Sequence, residues 1–339
     1  MQTFSASEAV ELAHLVRSGF IESRHVGSAV VLSPEGEVVA KLGDITTPIF
    51  ARSTLKPFQA IASMNAGAEL QGAQVALASG SHRGSFEHMK VAQTILEEAS
   101  LKADDLQCPA AWPADEESYH ALIRAGHGKQ RLAFNCSGKH AAFLWACVKS
   151  DWSIESYLDS SHPLQQLVME TVADYTGEEV AVTGVDGCGA PVAAVSLIGL
   201  ARAYSTLGSA IENIHADARA ATVATAMADY PEYVQGINQP VTLLSELLDG
   251  IVKNGAEGVF AIGLRSGASV AIKLLDGSSR ANSLVAIALL EACGLIEPEL
   301  AERCISATVR PIMGGETAVG TLEIGSGIEE FIASIKAAS

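Results

Sequence analysis

Ser53-Thr54-Leu55-Lys56-Pro57-Phe58 sets a serine and a lysine three residues apart at what reads as the start of a helix. Residues i and i+3 share a helix face, so this spacing lets the ammonium of Lys56 reach the hydroxyl of Ser53. Pro57 suits a first helical turn, where its missing N–H costs nothing. Beyond it, Phe58, Ile61 and Met64 recur at helical spacing. A serine hydroxyl becomes a good nucleophile when a base takes its proton. Lysine is such a base if burial or a neighbouring cation lowers its pKa. Serine and lysine are common residues, so this pair takes its meaning from partners elsewhere in the chain.

Working outward, Val30–Leu32 and Val38–Leu42 read as a hairpin turning at Pro34-Glu35-Gly36. Gln74–Ala78 reads as a buried strand ending at Ser79-Gly80-Ser81-His82-Arg83-Gly84. Phe86–Leu96 is an amphipathic helix, 108–115 a loop, and a further helix runs from Lys139 through Val148. Pro163–Tyr175 is helical, and Val180–Val185 is a strand ending at Asp186-Gly187-Cys188-Gly189-Ala190-Pro191. Ala-rich helical stretches follow across 192–229 and 241–253. Val259–Leu264 and Val270–Leu275 pair around Arg265-Ser266-Gly267. A helix over Asn282–Ala292, a strand near Val319–Ile324 and a helix to Ala337 complete the pattern. Strands gather toward both ends and helices in the middle, which predicts an α/β fold with a mainly helical middle region.

The 339 residues are 48% hydrophobic and 18% charged, enough apolar material for a large core. Aromatics are 5%, so that core is built from aliphatic side chains. Lys and Arg number 22 against 39 Asp and Glu, a formal charge of −17. Such a surface lacks the basic footprint that phosphate backbones require, which excludes nucleic acid as an expected partner and argues against anionic membranes. The opening MQTFSASEAVELAHLV has no basic segment ahead of an apolar one, and no long apolar run follows. The expectation is a soluble, cytoplasmic protein. Its six cysteines (108, 136, 147, 188, 293 and 304) are then thiols or metal ligands rather than disulfides.

Three polar turns attract attention: those at Ser53, at Ser81-His82 and at Asp186-Gly187-Cys188. Glycine in such turns frees N–H groups for an anion or oxyanion, although a turn is often only a turn. Asn135-Cys136-Ser137-Gly138-Lys139-His140 is less ordinary. Cys136 falls one helical turn from both Lys139 and His140, and a thiolate with an imidazole at that spacing suits zinc. Cys188 would be a distant ligand. The structural alternative is that both cysteines pack as small apolar side chains. Cys147, Cys293 and Cys304 lie in apolar helical stretches and read as core. Lys273 stands among Val270, Ala271, Ile272, Leu274 and Leu275. Strand alternation either turns it to solvent or buries it as a second cation near the site.

In this order, from about residue 25 to 325, the segments around Ala51–Ala60, Ser81-His82, Asn135–His140, Asp186-Gly187-Cys188 and Lys273-Leu274-Leu275-Asp276-Gly277 resemble the Rhizobium etli-type (thermolabile, asparaginase II) L-asparaginases. The Asn135–His140 segment is the most specific of them. The resemblance implies a β-lactamase/transpeptidase-like α/β fold, in which a Ser-x-x-Lys pair is also at home. It implies a single unit over 1–339, its sheet from roughly 25–110 and 255–330 and its helical region from roughly 111–254. By position, Ser53 with Lys56 forms one Ser–Lys pair and Ser81 with Lys273 a second. Cys136, Lys139 and Cys188 hold zinc, and Arg52, His140 and Asp186 line the substrate pocket. The family forms homodimers and hydrolyses the side-chain amide of L-asparagine. Two stretches depart from the family pattern: Arg83-Gly84-Ser85 after Ser81-His82, and Gly189-Ala190-Pro191 after Cys188. A lysine ligand must also be neutral to donate a lone pair, so the metal has to displace its proton.

The resemblance thus points to an L-asparaginase working by Ser–Lys chemistry with zinc bound. The alternatives are a related Ser–Lys amidohydrolase acting on glutamine, a β-lactam or a peptide, and a non-catalytic zinc-binding protein. The Lys-Thr-Gly element of β-lactamases is absent, which lowers that option.

Overall fold

The structure is a computed structural model and describes residues 2–338. In chain order it has β1 (Val10–Arg17), β2 (Phe20–Leu32), β3 (Val38–Leu42) and β4 (Ile49–Phe50). A short 3-10 turn, Arg52–Leu55, leads into α1 (Lys56–Asn65), then α2 (Ala73–Ser79), α3 (Phe86–Glu98) and α4 (Glu116–Arg124). Next come α5 (Ser137–Lys149), α6 (Pro163–Thr176), β5 (Val182–Val185) and β6 (Pro191–Val195). After α7 (Leu197–Ser209), α8 (Ala218–Asp229), α9 (Pro231–Val234) and α10 (Pro240–Leu247) the chain returns to β7 (Gly250–Asn254), β8 (Val259–Leu264) and β9 (Ser269–Leu274). It ends with α11 (Asn282–Ala292), α12 (Pro298–Thr308), β10 (Ile312–Gly314), β11 (Thr317–Ile324) and α13 (Ser326–Ala338).

The chain divides into two compact units. The first comprises Met1–Thr54, Ala194–Ser209 and Leu243–Ser339. Its antiparallel sheet runs β10-β11-β1-β2-β9-β8-β7, with β3 also paired to β2. The two ends of the chain meet in it, β1 pairing with β11. Every residue of β8 and β9 is buried, so both faces need cover; α7 and α11 both pack against these strands. Ser269 Oγ donates to the carbonyl of Ala201 at 2.8 Å, which marks the face that α7 covers.

The second unit comprises Leu55–Ala193 and Ala210–Thr242. Its centre is helical: α1 packs against α2, α5, α6 and α8, and α5 packs against α2 and α3. Local chemistry sets the helix starts. Pro57 and Pro163 sit in first turns, and Ser85, Asp115 and Asp217 accept N–H groups at the starts of α3, α4 and α8. Gly138 has a packing reason. A Cβ there would stand 2.8 Å from the Leu77 carbonyl oxygen and 2.6 Å from its Cγ, so the bare backbone lets α5 cross α2 closely.

The α/β class holds. Within it, three stretches differ from their sequence reading. Gln74–Ala78 is helix, part of α2, because its Ala, Gln and Leu favour helix and a short apolar run carries no decisive period. The Ala-rich stretch from 192 opens as strand, and Val192 and Val195 lie in β6. The helix expected through 253 stops at Leu247, and Gly250-Ile251-Val252 begins β7. No helix among the described residues is long and apolar enough to cross a membrane.

Candidate functional site

In the second unit, Lys56 opens α1 and is 1% exposed. Its Nζ donates to the carbonyl oxygen of Gly80 at 2.5 Å and of Asn135 at 3.2 Å, and lies 3.0 Å from Ser81 Oγ. Two of the three partners are carbonyls, which only accept. As an ammonium, Lys56 donates to all three. As a neutral amine, it spends its two N–H bonds on the carbonyls and turns its lone pair to the Ser81 hydroxyl. Ser81 itself is half-buried just beyond α2, and its N–H donates to the Val234 carbonyl at 2.7 Å.

The turn before α5 adds a second cluster. Lys139 is 2% exposed, and its Nζ donates to Cys188 Sγ at 3.1 Å. Cys136 and Cys188 are both buried and hydrogen-bonded to each other. That bond, opposed by burial and helped by the Lys56 and Lys139 charges, holds the Cys136 thiol well below its ordinary pKa. The same bond, with burial, pushes Cys188 up. Burial works against the Lys139 charge, but the Cys188 and Cys136 sulfurs outweigh it and keep the amine protonated above its ordinary range. Cys136 Sγ also donates to Asn135 Oδ1 at 3.2 Å, so the two sulfurs and the Lys139 amine form one coupled buried cluster. Two sulfurs and an amine converging in a buried site are donors zinc accepts. Among the described residues no group of three His, Cys, Asp or Glu stands ready for a metal.

His140 is fully buried. Burial is the largest influence on it and takes its pKa down to about 4. Its Nδ1 lies 2.7 Å from the Tyr157 hydroxyl. Asp186 is half-buried in the turn between β5 and β6, and its Oδ1 accepts the Gly187 N–H at 2.8 Å. Cys108, Cys147 and Cys304 are buried and Cys293 partly so; burial pushes the first two up to about 12 and the last two to about 11, as core thiols behave.

In the first unit, Ser53 lies half-buried in the 3-10 turn. The preceding Arg52 has φ of 55°, a left-handed conformation that costs a non-glycine residue about 1–2 kcal/mol. Two observations show what holds the turn: the buried Tyr204 hydroxyl donates to the Thr54 carbonyl at 2.8 Å, and Thr54 Oγ1 donates to the Ala51 carbonyl at 2.6 Å. Lys273 is 9% exposed and donates to the Glu257 carbonyl. Burial lowers its pKa, with Arg52 adding to the shift and Glu257 opposing it.

The sequence reading missed Lys253, which is entirely buried in β7. Its Nζ donates to the Asn254 carbonyl at 2.7 Å and to Asn254 Oδ1 at 3.2 Å. Lys253 pairs with Ala261 and Ala261 with Ala271, two residues before Lys273. Pairing and alternation therefore put both lysines on one face of the sheet, the face of Ser269 and α7. The signal was available: Lys253 ends the apolar run Ile251-Val252, as Lys273 interrupts its own.

A lysine amine held by carbonyls against a serine hydroxyl is the equipment of a hydrolase. The sequence model of the L-asparaginase II family matches residues 13–324. The chain belongs to that family, and an amidohydrolase of asparaginase type is what membership supports. No curated protein matches the chain.

Proposed function

We propose that this protein hydrolyses the side-chain amide of L-asparagine to L-aspartate and ammonia by Ser–Lys chemistry. The observation that carries the reading is the 3.0 Å approach of Lys56 Nζ to Ser81 Oγ between two carbonyls. Lys56 takes the serine proton as oxygen bonds to the amide carbon. The tetrahedral intermediate collapses with release of ammonia, which receives that proton, and leaves an acyl-serine. Water then attacks the ester, its proton passes through the lysine to the serine oxygen as the ester bond breaks, and serine is regenerated while aspartate leaves. Backbone N–H groups beside the nucleophile stabilise the oxyanion. Ser53 is the second candidate nucleophile, with Lys273 or Lys253 as its candidate base. The family resemblance supports Arg52 as partner of the α-carboxylate, Asp186 as partner of the α-ammonium and His140 as part of the pocket.

Zinc, held by Cys136, Lys139 and Cys188, belongs to the same proposal. When bound it supplies a fixed positive charge that polarises or orients a substrate oxygen. We also propose a homodimer and L-asparagine as the small-molecule partner, on the family resemblance. The buried thiol–lysine cluster favours one other reading, a zinc-binding protein without turnover. Ammonia release from a panel of small amides decides between the two, because a binder releases none.

A further inference from the structure

His82 follows Ser81 directly, and its ring is 2% exposed. The Gly84 N–H donates to its Nδ1 at 3.1 Å. That nitrogen therefore presents a lone pair, and the proton of the neutral ring sits on Nε2. Nε2 lies 2.9 Å from Ser137 Oγ, which in turn donates to the Leu132 carbonyl at 2.8 Å. A backbone donor at one end and a backbone acceptor at the other fix the direction of every hydrogen bond between them. Burial is the largest influence on the ring and sets its pKa well below the ordinary value, which keeps it neutral, as this chain requires.

The neighbouring ring secures the arrangement. His88 stacks on His82 with centroids 5.1 Å apart and planes 18° apart. Its Nδ1 accepts the Ser85 N–H at 3.1 Å, so its Nε2–H donates to the Glu232 carbonyl at 2.9 Å. Both nitrogens of each ring are thus engaged. Ser137 is the first residue of α5, directly after Cys136, and the Asn135 carbonyl is one of the acceptors of Lys56. The Ser81 segment and the start of α5 are thus tied twice. The tie through Lys56 changes whenever that lysine gains or loses a proton. The tie through His82 does not.

We infer that His82 is a positioning residue whose neutral ring clamps the Ser81 segment to the first turn of α5. The clamp keeps Ser81 Oγ within reach of Lys56 while the proton moves between them. This rests on the hydrolase reading of the site. Misplacing a reacting group by about 1 Å costs up to about 100-fold in rate, so loss of the clamp falls on kcat rather than on substrate binding.

The test combines nitrogen NMR of the histidine-labelled full chain with kinetics on L-asparagine. The spectrum should show His82 neutral at neutral pH with its proton on Nε2; a proton on Nδ1 overturns the inference. His82→Leu and Ser137→Ala should each lower kcat about 10- to 100-fold with KM within about twofold. His82→Gln, whose amide N–H can replace Nε2–H, should recover most of the loss. If His82→Gln is as impaired as His82→Leu while circular dichroism shows both folded, or if the loss lies in KM, the inference is wrong. Should His82→Leu fail to fold, Ser137→Ala and the spectrum still decide. A wild-type chain that releases no ammonia from asparagine ends the hydrolase reading alone. The spectrum, and coupling between His82→Leu and Ser137→Ala in unfolding experiments, then accept or reject the clamp.

Discussion

Lys56 Nζ stands 3.0 Å from Ser81 Oγ, although 25 positions separate the two in sequence. The lysine next in line to Ser53 is therefore the hydrogen-bond partner of a different serine. We expect Ser81→Ala and Lys56→Ala each to lower asparagine turnover by roughly 10³-fold or more, as loss of a nucleophile or its base usually does. Steady-state ammonia release measures this. A residual rate above roughly a tenth of wild type for either variant is too large for such a role. On the family resemblance, which pairs Ser53 with a lysine as well, Ser53→Ala is expected to lose as much.

Zinc is expected at up to one ion per chain in protein purified without chelator, bound through Cys136, Lys139 and Cys188. The 3.1 Å contact of Lys139 with Cys188 motivates this. Elemental analysis checks it, and occupancy unchanged in a Cys136→Ser, Cys188→Ser double variant removes the site. Binding must displace protons from Lys139 and Cys188, so affinity should fall as the pH falls.

Acid should weaken the fold through His82. Its folded pKa lies below the ordinary 6.5, with burial the main cause. A depressed value means that the unfolded chain takes up a proton the native chain refuses. The contribution is fully present above about pH 6.5 and is lost as the pH falls toward the folded value. Thermal unfolding from about pH 7 to about pH 5 should show wild type losing stability more steeply than His82→Gln. Parallel slopes contradict the assignment.

Gly138→Ala should destabilise the protein by about 1–3 kcal/mol, because the new methyl would be forced against Leu77 where α5 crosses α2. Denaturant unfolding gives the number, and an unchanged midpoint would show that α5 shifts without cost.

The Asn135–His140 turn was the most legible part of the site. It was marked by residue types that are costly to bury unless they meet one another, and Cys136, Lys139 and Cys188 do meet. The paired strands β8 and β9 were legible for a related reason: continuous apolar runs bounded by glycine turns have few other uses. The link between Lys56 and Ser81 was not legible. It depends on how α1, α2 and the turn before α5 pack, and local spacing carries no record of that. Lys253 was hidden by the helical reading of 241–253, since Leu244, Leu247 and Leu248 continue a helical pattern until Gly250 ends it. His82 looked like an ordinary turn residue because its partner Ser137 lies 55 positions away.

Specificity should follow the α-amino group. A pocket discriminates one methylene by only about 1–3 kcal/mol, so a stronger preference for asparagine over glutamine needs both polar ends of the substrate held. Asp186→Asn should reduce turnover of asparagine far more than turnover of an analogue lacking the α-amino group. Equal losses on the two compounds would show that Asp186 does not bind the ammonium.

The central claim is that a lysine-activated serine opens the side-chain amide of asparagine. It is tested most directly by ammonia release from L-asparagine by the purified wild-type chain beside Lys56→Ala. The account predicts ammonia and aspartate in equal amounts from wild type, glutamine turned over slowly, and a loss of roughly 10³-fold in the variant. No ammonia from wild type, or a Lys56→Ala rate close to that of wild type, would contradict it.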